Sequence, residues 1–166
     1  FLVVQDIFLN ETARYADVIL PAACSAEKDG VFTNSDRRVQ RVRKAVLPPG
    51  EARADWEILC DLARACGYPM PHYENAAAVY GEMAGLCDKF KGISHDRIDS
   101  EGGLQWPCPT PDHPGTPTLH CDGPLKGKAP FQGVAYRPSA ELPDDEYPLL
   151  LSTGRTLYHY NCGTQT

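Results

Sequence analysis

The chain opens on a β-branched apolar run, Leu2-Val3-Val4, which reads as a buried strand. Gln5 and Asp6 follow where a parallel strand would end. Glu11 to Tyr15 predicts a short helix with Asn10 as its cap. Asp17-Val-Ile-Leu-Pro21 is a second short apolar run, stopped by its proline. Strand, helix and strand at this spacing predict an α/β unit with a parallel sheet. Ligands in such sheets sit outside the carboxyl ends of the strands, so Gln5, Asp6 and the segment after Leu20 fall where binding happens.

Farther along, Pro48-Pro49-Gly50 breaks the chain. Asp55 is placed to cap a helix running from Trp56 to Cys66, with Trp56, Leu59, Cys60 and Ala63 on its core face. Gly67 ends it and Pro69 lies just beyond. A second helix is expected over 76–90, with Val79, Met83, Leu86 and Phe90 at helical spacing. From Ser100 to Asp145 the chain is proline-rich and reads as irregular, and 136–146 reads as a polar linker. Pro148-Leu-Leu-Leu151 then predicts a strand entering a new domain, with Thr153-Gly154-Arg155 at its carboxyl end. The expected architecture is α/β: the end of a parallel-sheet domain over 1–67, a helix plus Pro-rich connecting region over 68–146, and the first strand of a C-terminal β-barrel-like domain over 147–166.

Charge narrows the function classes. The 166 residues carry a formal net charge of −6, and no broad basic face is present to neutralise phosphates, which argues against general nucleic-acid binding. The local basic run Arg37-Arg38-Val-Gln-Arg41-Val-Arg43-Lys44 is the exception. Strand alternation puts Arg41 and Arg43 on one face, read as a solvated edge. No apolar run approaches the ~20 residues that span a bilayer. The seven cysteines are odd in number and form no CxxC pair, which favours reduced thiols in a reducing compartment, the cytoplasm before the periplasm. Cys108, His113, His120 and Cys121 could in principle bind zinc, but the Pro-rich setting favours a plain loop. The apolar start and the Gly/Thr-rich polar end suggest an internal piece of a larger protein.

The segments Gln5–Thr12, Ala16–Ala23, Glu27–Arg38 and Pro49–Trp56 together resemble the molybdopterin-dependent oxidoreductases of the dimethyl-sulfoxide-reductase type. Gly103–Pro109, His113–Thr116 and Ser152–Tyr160 look most like the catalytic subunit of formate dehydrogenases in that family. The resemblance implies molybdenum or tungsten held by two molybdopterin guanine dinucleotides, a 4Fe–4S cluster, and two-electron oxidation of formate to carbon dioxide. Electrons would pass to a partner subunit or carrier. The cysteine or selenocysteine that joins the metal in that family has no counterpart here, so no catalytic or metal-ligating residue is assigned. Asp6 can accept from guanine or ribose, or equally cap the next turn. Glu27, Gly30, Asn34 and Arg38 form a turn-like segment that could line the same crevice, with Arg38 pairing to cofactor or to a domain interface. Thr153, Gly154, Arg155, His159 and Thr164 match the segment that meets a pterin from the C-terminal domain. Gly102–Cys108 lies near the funnel to the metal in the family, or is a Trp-anchored loop on the core. A nitrate reductase, the large iron–sulfur subunit of a respiratory NADH dehydrogenase, and a non-catalytic remnant are the alternatives.

Overall fold

The computed structural model describes residues 1–121, 123–124 and 127–154. Contacts divide the chain into two units, Phe1–Asp122 and Gly123–Thr166.

In the first unit the leading pattern folds as its periodicity implies. β1 (Val3–Asp6) and β2 (Val18–Pro21) run parallel, with Val3 opposite Val18 and Asp6 opposite Pro21. A 3-10 turn over Thr12–Tyr15 joins them. Asn10 caps it as expected: its Oδ1 accepts from the Ala13 amide at 2.9 Å. Arg53 extends the pair on the far side of β2. Its amide donates to Pro21 O at 3.2 Å, and its carbonyl accepts from Ala23 N at 2.7 Å. The expected burial of the first strand does not hold. Leu2 is 38% and Val3 41% exposed, and Val18 and Ile19 are open as well. A parallel strand is buried only when other elements cover both of its faces, and no described element does so here.

A 3-10 turn at Ser25–Glu27 leads into an antiparallel sheet of order β3-β4-β5, made of Gly30–Thr33, Arg38–Val42 and Leu104–Gln105. Three helices complete the unit: α1 (Asp55–Ala65), α2 (Ala76–Leu86) and α3 (His95–Glu101). The end of α1 follows the expectation. Gly67 has φ +82°, its amide donates to Arg64 O, and Tyr68 N donates to Ala63 O, both at 2.9 Å. These paired bonds satisfy carbonyls that the last turn would otherwise leave open. The core-facing stripe differs. Ile58 and Cys60 are buried while Leu59 is 53% exposed. Asp55 is not the cap either; Ala54 holds that position with extended backbone, and the Asp55 carboxylate is drawn sideways to other partners.

Helix α2 ends at Leu86 rather than Phe90. Asn75 caps it, accepting from Ala78 N at 3.0 Å. Tyr80 and Ala84, not Met83 and Leu86, supply its buried face. Helix α3 was not expected, because its seven residues carry a single large aliphatic, Ile98. It is held by Ser94 at its start and left-handed Gly102 (φ +78°) at its end. The main core lies between the three-stranded sheet and α2 and α3: Val39, Tyr80, Ala84, Ile93, Ile98, Leu104 and Cys108, with Val31, Phe90 and Trp106 packed at its margin.

Arg97 fastens the loop that closes this core. Its guanidinium donates to the carbonyls of Gly92 (2.5 Å) and His113 (3.1 Å) and to Glu101 (2.8 Å). Trp106 packs on Phe90, with Arg37 and Lys89 lying 5.8 and 5.4 Å from its ring centre. The tryptophan therefore anchors the Pro-rich loop on the core. Arg41 and Arg43 do share one face, where the Arg43 side chain stays 63% open while that of Arg41 is only 15% open. Both bond to Asp99 of α3, at 3.2 and 2.6 Å.

In the second unit, the expected strand at Pro148–Leu151 does not form among the described residues. Leu149, Leu150 and Leu151 are all exposed, and a strand exists only by pairing with a neighbour.

Two glycine substitutions are expected to act in opposite directions. A Cβ at Gly92 would fall 2.0 Å from Thr110 O, so Gly92→Ala forces backbone apart and costs about 1–3 kcal/mol. Gly81 lies exposed inside α2 with nothing within 4 Å of its Cβ position. Gly81→Ala should stabilise by about 0.5–1 kcal/mol. Urea unfolding of the two variants checks this, and midpoints shifted the same way would contradict the packing described.

Candidate functional site

The carboxyl end of the parallel pair is a polar junction. Gln5 leaves β1 with its side chain directed at the start of α1, where Nε2 donates to Asp55 Oδ1 at 2.8 Å. Lys28, just past the second 3-10 turn, donates to the other oxygen, Asp55 Oδ2. A carboxylate in the first turn of a helix also faces the positive end of the helix dipole. Burial pushes the Asp55 carboxyl up, but the hydrogen bonds from Lys28 and Gln5 and the lysine charge outweigh it, and its pKa lies below the usual value. One anionic oxygen pair thus joins β1, the segment before β3, and α1.

Asp6, next to Gln5, turns the other way. Its Oδ1 accepts from Phe8 N at 2.9 Å and its Oδ2 from Asn10 Nδ2 at 2.8 Å. Asp6 therefore shapes the exit from β1, as the capping alternative held, and each carboxylate oxygen keeps a further lone pair. Glu27 closes its own turn, accepting from Cys24 N at 2.9 Å.

Asn34 and Arg38 sit together at the β3–β4 turn. Asn34 Oδ1 accepts from Arg38 N at 2.9 Å and from Asp36 N at 3.2 Å. The Arg38 side chain lies over Gly103, donating to its carbonyl at 3.4 Å, with Asp36 3.5 Å from Nε. Any Cβ at Gly103 would meet that arginine at 3.1 Å. Among the described residues no hydrogen bond joins this pair to Gln5, Asp6 or Glu27. The expected site residues thus form two groups, one at the parallel-strand ends and one at the hairpin turn.

Two clefts adjoin the first group. One of about 270 Å³ is lined by Glu27, Lys28, Lys44, Arg53, Trp56 and Glu74, among others. The other, about 540 Å³, opens at the end of β2 beside Leu20, Pro21 and Arg53. Opposite charges alternate around the first, and Arg53 is paired with Asp61 at 2.6 Å.

In the second unit Thr153 and Gly154 are exposed. Arg155, His159 and Thr164 lie outside the described residues. The participants missed from the sequence are Asp55 and Lys28. Asp55 was read as a cap because Asp before a helical run usually is one. No sequence signal marks it: alanine is a poor cap, and only the extended backbone at Ala54 places the aspartate inside the first turn.

A parallel strand pair with polar side chains at its carboxyl ends stands where α/β sheets bind their ligands. The molybdopterin oxidoreductase family matches residues 1–65. Over its whole length the chain is 53% identical to the F420-dependent formate dehydrogenase 2 subunit alpha of Methanococcus maripaludis. It is 50% identical to the F420-dependent formate dehydrogenase subunit alpha of Methanocaldococcus jannaschii. It is 43% identical to the assimilatory nitrate reductase catalytic subunit of Bacillus subtilis. In all three cases 100% of this chain aligns with 25% of the relative, so the chain spans about a quarter of the length of these proteins.

The Lys28–Asp55 link is half exposed, with 23% and 45% of the two side chains open, so its net worth is small. Lys28→Met and Asp55→Asn, combined in a double-mutant cycle, should couple by about 0.2–1 kcal/mol near neutral pH. Because the folded-state pKa of Asp55 is depressed, the coupling is complete above the ordinary carboxylate value. It disappears as pH falls through the lowered one. Coupling that persists unchanged into strong acid would contradict the ion pair.

Proposed function

We propose that this chain is the cofactor-holding portion of a formate dehydrogenase that binds molybdopterin in its guanine dinucleotide form. The observation that carries the reading is the polar junction at the end of the parallel pair, where Gln5 and Lys28 converge on the Asp55 carboxylate while Asp6 shapes the exit from β1. A guanine edge presents adjacent N–H donors that a carboxylate accepts in pairs. Phosphates need cations and amides, which Lys28 and the first turn of α1 supply. The residues present therefore suit the group. Glu27, Asn34 and Arg38 would extend the contact along the hairpin. Thr153, Gly154, Arg155, His159 and Thr164 would meet a pterin from the C-terminal segment.

When bound, the group supplies two-electron redox chemistry at molybdenum or tungsten. This chain's residues bind and orient it, and hydrogen bonds from them set the charge around it. The reading takes formate as substrate and includes a second dinucleotide and a 4Fe–4S cluster held by other parts of the protein. It also includes an electron-accepting subunit or carrier, a cytoplasmic setting, a helix plus Pro-rich connecting region over 68–146 and the start of a molybdopterin dinucleotide-binding domain at 147. The higher identity to two formate dehydrogenase alpha subunits than to the nitrate reductase favours formate.

The test uses the protein expressed with the remainder of its coding region. Asp55→Asn and Asp6→Asn should each lower the guanine nucleotide released on acid denaturation by about ten-fold, with a parallel fall in formate-dependent dye reduction. Unchanged guanine content in both variants would sink the placement of the dinucleotide. Reduction of nitrate with no oxidation of formate by the unaltered protein would sink the substrate.

A further inference from the structure

Three buried polar atoms in the first unit have no hydrogen-bond partner: Arg41 Nε, Tyr80 Oη and His95 Nε2. They belong to one neighbourhood. The Tyr80 and His95 rings stand 5.6 Å apart, tilted by 32°, and the Arg41 charge acts on His95. His95 is the first residue of α3, only 8% exposed, and among the described residues the one buried side chain that is charged or strongly polar. Helix α3 makes its main contacts with β4 and β5. From this helix Asp99 clamps both Arg41 and Arg43, and Arg97 ties down the carbonyls of Gly92 and His113. The first residue of α3 therefore sits at a polar hole, while the rest of the helix holds the closing loop.

We propose that His95 is a pH-sensitive latch: neutral, it lets α3 stay seated between β4 and α2, and its protonation releases the helix together with the 92–113 loop that Arg97 fastens. The groups facing it are Tyr80 from α2, Arg41 from β4, Asp29 from the segment before β3, and Asp96 and Asp99 from α3 itself. Tyr80 supplies no charge, since burial and the nearby Cys108 thiol push its pKa up to about 12. A protonated His95 would be a second cation beside Arg41, in a place where Nε2–H finds no acceptor. Asp99 is already shared by two arginines. Burial and Arg41 lower the His95 pKa from the ordinary value; the three aspartates oppose them without reversing the outcome. A histidine whose folded-state pKa is depressed contributes stability that is complete above the unfolded value of 6.5. That stability is lost as pH falls toward the folded one.

Amide hydrogen exchange on the full chain, corrected for intrinsic rates, distinguishes local release from general unfolding. Between roughly pH 7.5 and 5.5, exchange at Ile98 and Gly102 in α3 should accelerate about ten-fold relative to Cys66 and Tyr68 at the end of α1. His95→Phe keeps a ring against Tyr80 and should abolish that difference. Should the variant fail to fold, NMR titration of the His95 ring in the unaltered chain decides the matter, with a midpoint below 6.5 expected. A midpoint at or above 6.5, α3 and α1 amides that track one another, or α3 amides unprotected already at the higher pH would each overturn the latch.

Discussion

The Asp55 carboxylate is the point on which the candidate site depends. It reaches Gln5 across a sequence separation of 50 residues and Lys28 across 27. Without it, the end of β1, the approach to β3 and the start of α1 have no shared polar anchor at this corner. Local periodicity makes each element, and this contact joins their ends. The energy involved is small because water reaches half of the pair. What it supplies is position, and a cofactor site depends on position more than on the strength of any one bond.

Local signals were legible wherever a single chemical rule governs. Gly67 after α1, Asn10 before its turn and the β-branched runs of the parallel pair all behave as their residue types dictate. The failures have one physical origin: partners that the sequence does not mark. The pairing of Arg41 and Arg43 with Asp99 is unmarked because α3, which carries Asp99, is too short and polar to show helical periodicity. Leu59 was assigned to the core and Ile58 was not; a three-turn helix with alternating apolar choices leaves its rotation to the packing. Pro148–Leu151 has the residues of a strand and pairs with no neighbour among the described residues.

For the site, Asp6 and Gln5 were legible from the rule that parallel strands bind at their carboxyl ends. The rest of the proposed site comes only from the family resemblance, with which the match over residues 1–65 and the identity to a quarter of the formate dehydrogenase alpha subunits agree. Geometry adds what resemblance does not: Asp6 supports its own turn, and Arg38 braces Gly103 rather than pointing toward the parallel pair.

The placement of the indoles gives the molecule a pair of built-in optical reporters. The chain has two tryptophans. Trp56 borders the cleft beside Lys28, and Trp106, on the Pro-rich loop, has the cationic groups of Arg37 and Lys89 near its ring. A cation near an indole face shifts its emission differently from an open cleft wall. The two signals therefore separate by environment, and removing either residue leaves a spectrum that follows one corner of the fold alone.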